Sequence, residues 1–137
     1  MDLTPKFKGT KILLVDDDQW IRDSLTLFFE GEGSTCTAVE SAEEGLTAIR
    51  ERDYDILLVD YRLPGIDGLE FLKRIAKSYP DAIKILITAY GNEDVYRKAR
   101  NMGVGDIIEK PLTSELIESS LLRLIDTGSK SPEYRCP

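Results

Sequence analysis

The feature that most constrains this chain is an alternation. Short runs of apolar and β-branched residues recur, each followed by a longer stretch whose apolar residues return at helical spacing. Lys11–Val15 is the first run and stops at Asp16-Asp17-Asp18; Gln19–Glu32 follows, with Ile21, Leu25 and Phe28 on one face and Gly31 or Gly33 to end it. Thr35–Val39 alternates weakly and reads as a second strand. Ser41, with Glu44 three residues on, forms a capping box that opens a helix carrying Ala42, Leu46 and Ile49. Ile56–Asp60 is a continuous apolar strand ending in an aspartate. The turn Leu63-Pro64-Gly65-Ile66-Asp67-Gly68 leads to a helix with Leu72, Ile75, Ala76 and Tyr79. Ile83–Thr88 is a fourth strand, and Asn92 caps a helix bearing Val95, Ala99 and Met102 that stops at Gly103. Asp106–Glu109 is a short fifth strand, and Lys110-Pro111 leads to Thr113, the cap of a last helix with Ile117, Leu121 and Leu124.

The pattern is a βα unit repeated five times, an α/β chain of one domain. Strands one, three and four lack polar alternation, as expected when helices cover both faces of a parallel sheet. Right-handed crossovers in a doubly wound five-stranded sheet give the flavodoxin-like order 2-1-3-4-5. Strands one and three are then neighbours. Ligands in such folds bind outside the carboxyl ends of the strands, at the switch point between them.

Those carboxyl ends carry the chemistry. Strand one ends in Asp16 and Asp17, strand three in Asp60, strand four in Thr88, and strand five in Lys110. Carboxylates brought that close repel one another unless a cation joins them. Hard oxygen ligands with room for water suit Mg2+. An aspartate beside a cation and a lysine is a candidate nucleophile for a phosphoryl group, which a threonine hydroxyl and the lysine would then steady. Taken singly, each residue has a plainer reading. Asp18 serves as a helix cap, Asp60 as a turn residue, Thr88 as a strand end and Lys110 as a solvated charge. Together, polar groups at four strand ends, on one edge of an otherwise apolar sheet, point to a site.

The stretches Ile12-Leu-Leu-Val-Asp-Asp-Asp18, Asp60-Tyr-Arg-Leu-Pro-Gly-Ile-Asp-Gly68, Ile87-Thr-Ala89 and Glu109-Lys-Pro111 resemble the receiver domains of two-component response regulators, in order and separation, over residues 10–125. The resemblance implies that Asp60 is a phosphoacceptor, charged by a sensor histidine kinase or a phosphotransfer protein. It implies that Asp17 binds Mg2+ (or Mn2+) directly and Asp16 through water, with Asp60 and the backbone carbonyl of Arg62 completing the protein ligands. Thr88 matches the switch hydroxyl, Ala89 the backbone donor to the phosphoryl group, and Lys110 the lysine of the motif, with a cis Lys110–Pro111 bond. Such a domain promotes its own phosphorylation and dephosphorylation and is not a turnover enzyme. Its signal would reach a partner, an output domain or a second copy through the face of helix four, strand five and helix five, with Tyr96, Arg97 and Arg100 as candidates on helix four. The sequence departs from the family where an aromatic usually stands three residues before the lysine. Here it is Ile107, with neither ring nor hydroxyl to move with the threonine. Val104, where alanine is common, is a milder change. Tyr90 and Arg62, two residues beyond Thr88 and Asp60, match positions that tune phosphoryl lifetime and access.

Composition narrows the alternatives. The chain has no histidine, which removes Ser-His-Asp and Cys-His nucleophile systems and any phosphohistidine of its own. With 18 basic against 25 acidic residues, the net charge of −7 argues against direct nucleic-acid binding. A flavin or nucleotide site would need a glycine- or hydroxyl-rich loop where Asp16-Asp17-Asp18-Gln19-Trp20 stands. An aspartyl phosphohydrolase would use Asp16 and Asp18 but would also want a cap domain. A receiver that only binds protein, without phosphate, is the remaining alternative. The longest apolar runs, Ile12–Val15 and Ile56–Val59, are four residues, far short of a membrane span. With no leader-like start and with Cys36 and Cys136 far apart, the expected compartment is the cytoplasm. Residues 1–9 are expected to be a loose lead-in and 126–137 a tail or the start of a linker, with Cys36 filling a core position and Cys136 in the tail.

Overall fold

The structure, a computed structural model, describes residues 7–127; the first two residues of the expected 126–137 tail belong to the last helix, and the rest, with Cys136, lies outside the described residues. Ten elements alternate: β1 (Lys11–Val15), α1 (Gln19–Gly31), β2 (Thr35–Val39), α2 (Ala42–Glu51), β3 (Ile56–Asp60), α3 (Gly68–Ile75), β4 (Ile83–Thr88), α4 (Glu93–Asn101), β5 (Asp106–Glu109) and α5 (Ser114–Thr127). All strand pairings are parallel, and the order is β2-β1-β3-β4-β5, the one expected.

Alternate residues of each strand feed two cores. Leu13, Val15, Leu57, Val59 and Leu86 face α2, α3 and α4, where they meet Phe71, Leu72 and Ala99. Ile12, Leu14, Ile56, Leu58, Ile85 and Ile87 face α1 and α5, where they meet Leu25, Phe29, Ile117 and Leu121. Coverage on both sides is why β1 and β3 read as unbroken apolar runs.

The helix starts follow local chemistry. Asp18 caps α1 by accepting from the Trp20 N–H at 2.8 Å, and Asn92 caps α4 by accepting from the Val95 N–H at 3.0 Å. Thr113 Oγ1 accepts from the Leu116 N–H at 3.1 Å at the start of α5. Ser41 Oγ accepts from the Glu44 N–H at 3.1 Å, while the Glu44 carboxylate reaches back to the Glu40 N–H, one residue short of a reciprocal box.

Four expectations need correction. Phe29, not Phe28, is the fully buried ring of α1. The third helix stops at Ile75, so Tyr79 is not part of its stripe; its hydroxyl instead donates to the carbonyls of Ile49 and Arg52 at the end of α2. Tyr96 is not on an exposed face of α4 but buried at 5% exposure. The lead-in is anchored from Phe7 onward. Phe7 is fully buried edge-to-face against Phe29, and its carbonyl accepts from Ser34 Oγ at 2.6 Å.

Candidate functional site

The last residues of β3 and β4, and the residues just after β1 and β5, deliver the polar groups to one rim. Asp16, Asp60 and Thr88 are nearly or fully buried, while Asp17, Ala89 and the Arg62 side chain are exposed. Carboxylate oxygens of Asp16, Asp17 and Asp60 all lie within 4.8 Å of one another, so the fold does bring the predicted acids together. Lys110 Nζ donates to Asp60 Oδ2 at 3.1 Å and stands 3.6 Å from Asp16 Oδ2. The Lys110–Pro111 bond is cis, as the resemblance implies.

Asp16 is held from its own strand–helix turn. Its Oδ1 accepts from the Asp18 N–H at 2.9 Å, and its carbonyl accepts from Arg22 Nη1 at 3.0 Å. Its Oδ2 is buried beyond hydrogen-bond reach of any donor among the described residues, although the Lys110 charge is near. Burial pushes the Asp16 carboxyl up to about 6; the Asp18 amide and Lys110 pull it down, while the charges of Asp60 and Asp17 add to the rise. Burial also raises Asp60, against the opposing pull of Lys110 and of the Arg62 amide. For Lys110, burial works against the charge, but the carboxylates of Asp16 and Asp60 outweigh it and hold the ammonium above its ordinary range. An orphaned buried carboxylate oxygen beside two other carboxylates is the donor set of a hard cation, and these residues fit Mg2+.

Thr88 Oγ1 accepts from the Tyr90 N–H at 3.2 Å, which leaves its own proton available to an incoming oxygen. Ala89 follows at the start of the β4–α4 loop. Sequence reasoning missed the supports. Gly68 lies against the end of β3, where a Cβ would meet the Asp60 carbonyl oxygen at 2.2 Å. Its place in the motif was visible, but the close approach was not. Arg22, six residues beyond Asp16, had no signal at all. A groove of about 670 Å3 flanks the site between α1 and the β5–α5 connection. Trp20, Leu27, Phe28, Lys110 and Leu112 are among the residues that line it.

A family model described as response regulator receiver domain matches residues 12–122. The chain is 39% identical over 100 residues to the DNA-binding transcriptional regulator NtrC of Salmonella typhimurium, covering 73% of this chain and 21% of that protein. It is 30% identical over 124 residues to the transcriptional regulatory protein FixJ of Bradyrhizobium diazoefficiens, covering 88% and 60% respectively. Among solved structures, a CheY-like response regulator receiver domain protein from Methanospirillum hungatei matches with a TM-score of 0.83 at 30% identity, over 88% of this chain and 97% of that one. The chain thus spans only 21% of the length of the NtrC relative.

Proposed function

This chain belongs to the response regulator receiver domains of two-component systems, and we propose that Asp60 is the residue that takes up the phosphoryl group, from a phosphohistidine carried by a sensor histidine kinase or phosphotransfer protein. The observation that carries this reading is the contact of buried Asp60 with Lys110 beside Asp16 and Asp17. The Asp60 oxygen attacks phosphorus in line; the O–P bond forms as the N–P bond breaks, and the electron pair returns to the imidazole nitrogen of the donor. Asp16, Asp17, Asp60 and the Arg62 carbonyl are the residues that would hold Mg2+ (or Mn2+). When bound, the ion offsets the carboxylate charge and that of the transferring phosphoryl group. Lys110 keeps its ammonium charge and moves from Asp60 Oδ2 to a phosphoryl oxygen. The Thr88 hydroxyl and the Ala89 N–H donate to the others.

The phosphohistidine must lie outside these 137 residues, because they contain no histidine. Trp20 and Leu27, 77% and 73% exposed on the groove beside Lys110, offer that donor apolar surface. Uptake of phosphate then biases the α4–β5–α5 face toward an output domain, a target protein or a second copy, as a population shift. The relatives named as transcriptional regulators are longer than the matched stretch, which supports an output domain as the partner. Asp60 is consumed once per transfer and regenerated by hydrolysis, so the chain acts as a switch rather than a turnover enzyme. No helix among the described residues is long and apolar enough to cross a membrane, and Cys36 carries a free thiol, in keeping with a cytoplasmic setting.

Incubation with acetyl phosphate and Mg2+, followed by intact-mass measurement, is expected to add one phosphoryl group to the wild type and none to Asp60→Asn. Uptake by Asp60→Asn would overturn the assignment.

A further inference from the structure

The family's usual aromatic is absent at position 107, and the structure shows another ring close to the same switch. β4 and β5 pair with Leu86 opposite Ile107 and Thr88 opposite Glu109. Leu86 and Ile107 pack on the α4 side of the sheet. Thr88 and Glu109, two residues further along each strand, therefore share that side. They hold consecutive amides of the β4–α4 loop. Thr88 Oγ1 accepts from the Tyr90 N–H at 3.2 Å, and Glu109 Oε1 accepts from the Gly91 N–H at 3.2 Å.

The third member comes from α4. Tyr96 is 5% exposed, and its amide donates to the carbonyl of the cap residue Asn92 at 3.0 Å. A Cβ added at Gly91 would lie 2.7 Å from both the Tyr96 hydroxyl and its ring edge, and 2.9 Å from Glu109 Oε1. Tyr96 and Glu109 thus converge on one glycine, whose missing side chain is what lets them close over the loop. Ile107 is only part of the apolar packing beneath.

We propose that Tyr96 and Glu109, meeting over Gly91, are the positioning residues that carry the state of the Thr88 hydroxyl to α4, in place of a ring at position 107. This rests on the phosphoacceptor reading above. When a phosphoryl oxygen draws Thr88 Oγ1 inward, the Tyr90 amide loses its acceptor and the 89–92 loop shifts. The Gly91 amide is tied to Glu109, and its empty Cβ position faces the edge and hydroxyl of the Tyr96 ring. The shift therefore reaches the first turn of α4 directly, whereas Ile107 has no polar group with which to register it.

The test uses the full chain, with beryllofluoride and Mg2+ as a phosphoryl mimic and backbone amide NMR shifts as the readout. In the wild type, amides at 60, 88 and 89–92 and those of α4 are expected to shift together. In Tyr96→Ala and in Glu109→Ala, the site and loop amides still shift while the α4 shifts are lost. Tyr96→Phe, which keeps the ring, and Glu109→Gln, which keeps an acceptor for the Gly91 N–H, restore them. Ile107→Ala leaves them in place. Glu109 is exposed, so its variant reads the same relay should Tyr96→Ala fold poorly. The relay is overturned if Tyr96→Ala and Glu109→Ala keep wild-type α4 shifts, or if Ile107→Ala alone removes them. A wild type that shows no shift at 60 and 88 overturns the acceptor reading itself, and the relay with it.

Discussion

At the scale of single residues, the site stores unfavourable electrostatics. Asp16 is fully buried with one carboxylate oxygen lacking a hydrogen bond, and burial raises its carboxyl to about 6 from 3.8. A raised folded value means that the folded chain binds more protons than the unfolded one between those two values. Stability from this group is full below about pH 4 and is lost as pH rises through about 6. At one shift unit per 1.36 kcal/mol, the loss amounts to up to about 3 kcal/mol for the metal-free protein. Carboxyl-carbon NMR in EDTA is expected to show Asp16 titrating near pH 6, with urea stability falling over the same interval. Saturating Mg2+ should lower that midpoint, because the cation binds only the deprotonated form. An Asp16 midpoint near 4 in EDTA would remove the argument. The acids and the lysine were legible in the sequence because each ends a strand, and parallel strands deliver their ends to one edge. The oxygen without a hydrogen bond was not legible, because it depends on how Arg22 and the Asp18 amide engage the other atoms of the same residue.

At the scale of elements, all five strands fall where the sequence reading places them; β1, β3 and β4 are the clearest, since a continuous apolar run has few other ways to be buried. Helix ends were less legible where a tertiary contact decides them. Tyr79 fits the α3 stripe by spacing, yet its hydroxyl is held by carbonyls of α2 and the chain leaves the helix four residues earlier, at Ile75. Tyr96, named as a candidate on a partner-binding face, is instead buried over Gly91, on the same side of α4 as Ala99 three residues on. The β3–α3 connection carries the strictest demand. The Gly68 N–H donates to the Tyr61 carbonyl at 2.8 Å, and its Cα sits so close to the Asp60 carbonyl that a methyl group has no room. Gly68→Ala is therefore expected to push α3 and the end of β3 apart, costing about 1–3 kcal/mol as overpacking does. Denaturant unfolding reads the stability, and the rate of acetyl phosphate uptake falls with it, because Asp60 is the residue displaced. Stability and uptake equal to wild type would show that the turn relaxes without cost.

At the scale of the whole molecule, two cores lie on either side of one sheet, and the amino-terminal segment closes the one beneath α1 and α5. Phe7 was not legible as core, because a lone ring among Pro5, Lys6, Lys8 and Gly9 has no periodic partner in the sequence. In the fold it stacks edge-to-face on Phe29 with centroids 6.2 Å apart. The Gly9 N–H donates to the Gly33 carbonyl at 3.0 Å, and the Phe7 carbonyl takes the Ser34 hydroxyl and the Thr10 amide. The segment thus clips the α1–β2 turn to the start of β1, so residues 7–9 pack as part of the folded unit. Removing a fully buried phenylalanine costs about 3–5 kcal/mol, against a whole-domain stability of about 5–15 kcal/mol. Phe7→Ala is therefore expected to lower the urea midpoint severely, while Lys8→Ala, an exposed neighbour, leaves it nearly unchanged. Phe7 lies on the α1–α5 core and contributes no group to the rim of Asp16, Asp60 and Lys110. Below its unfolding temperature the variant should therefore still take up phosphate at Asp60. A Phe7→Ala protein as stable as wild type would return residues 7–9 to the status of a loose lead-in.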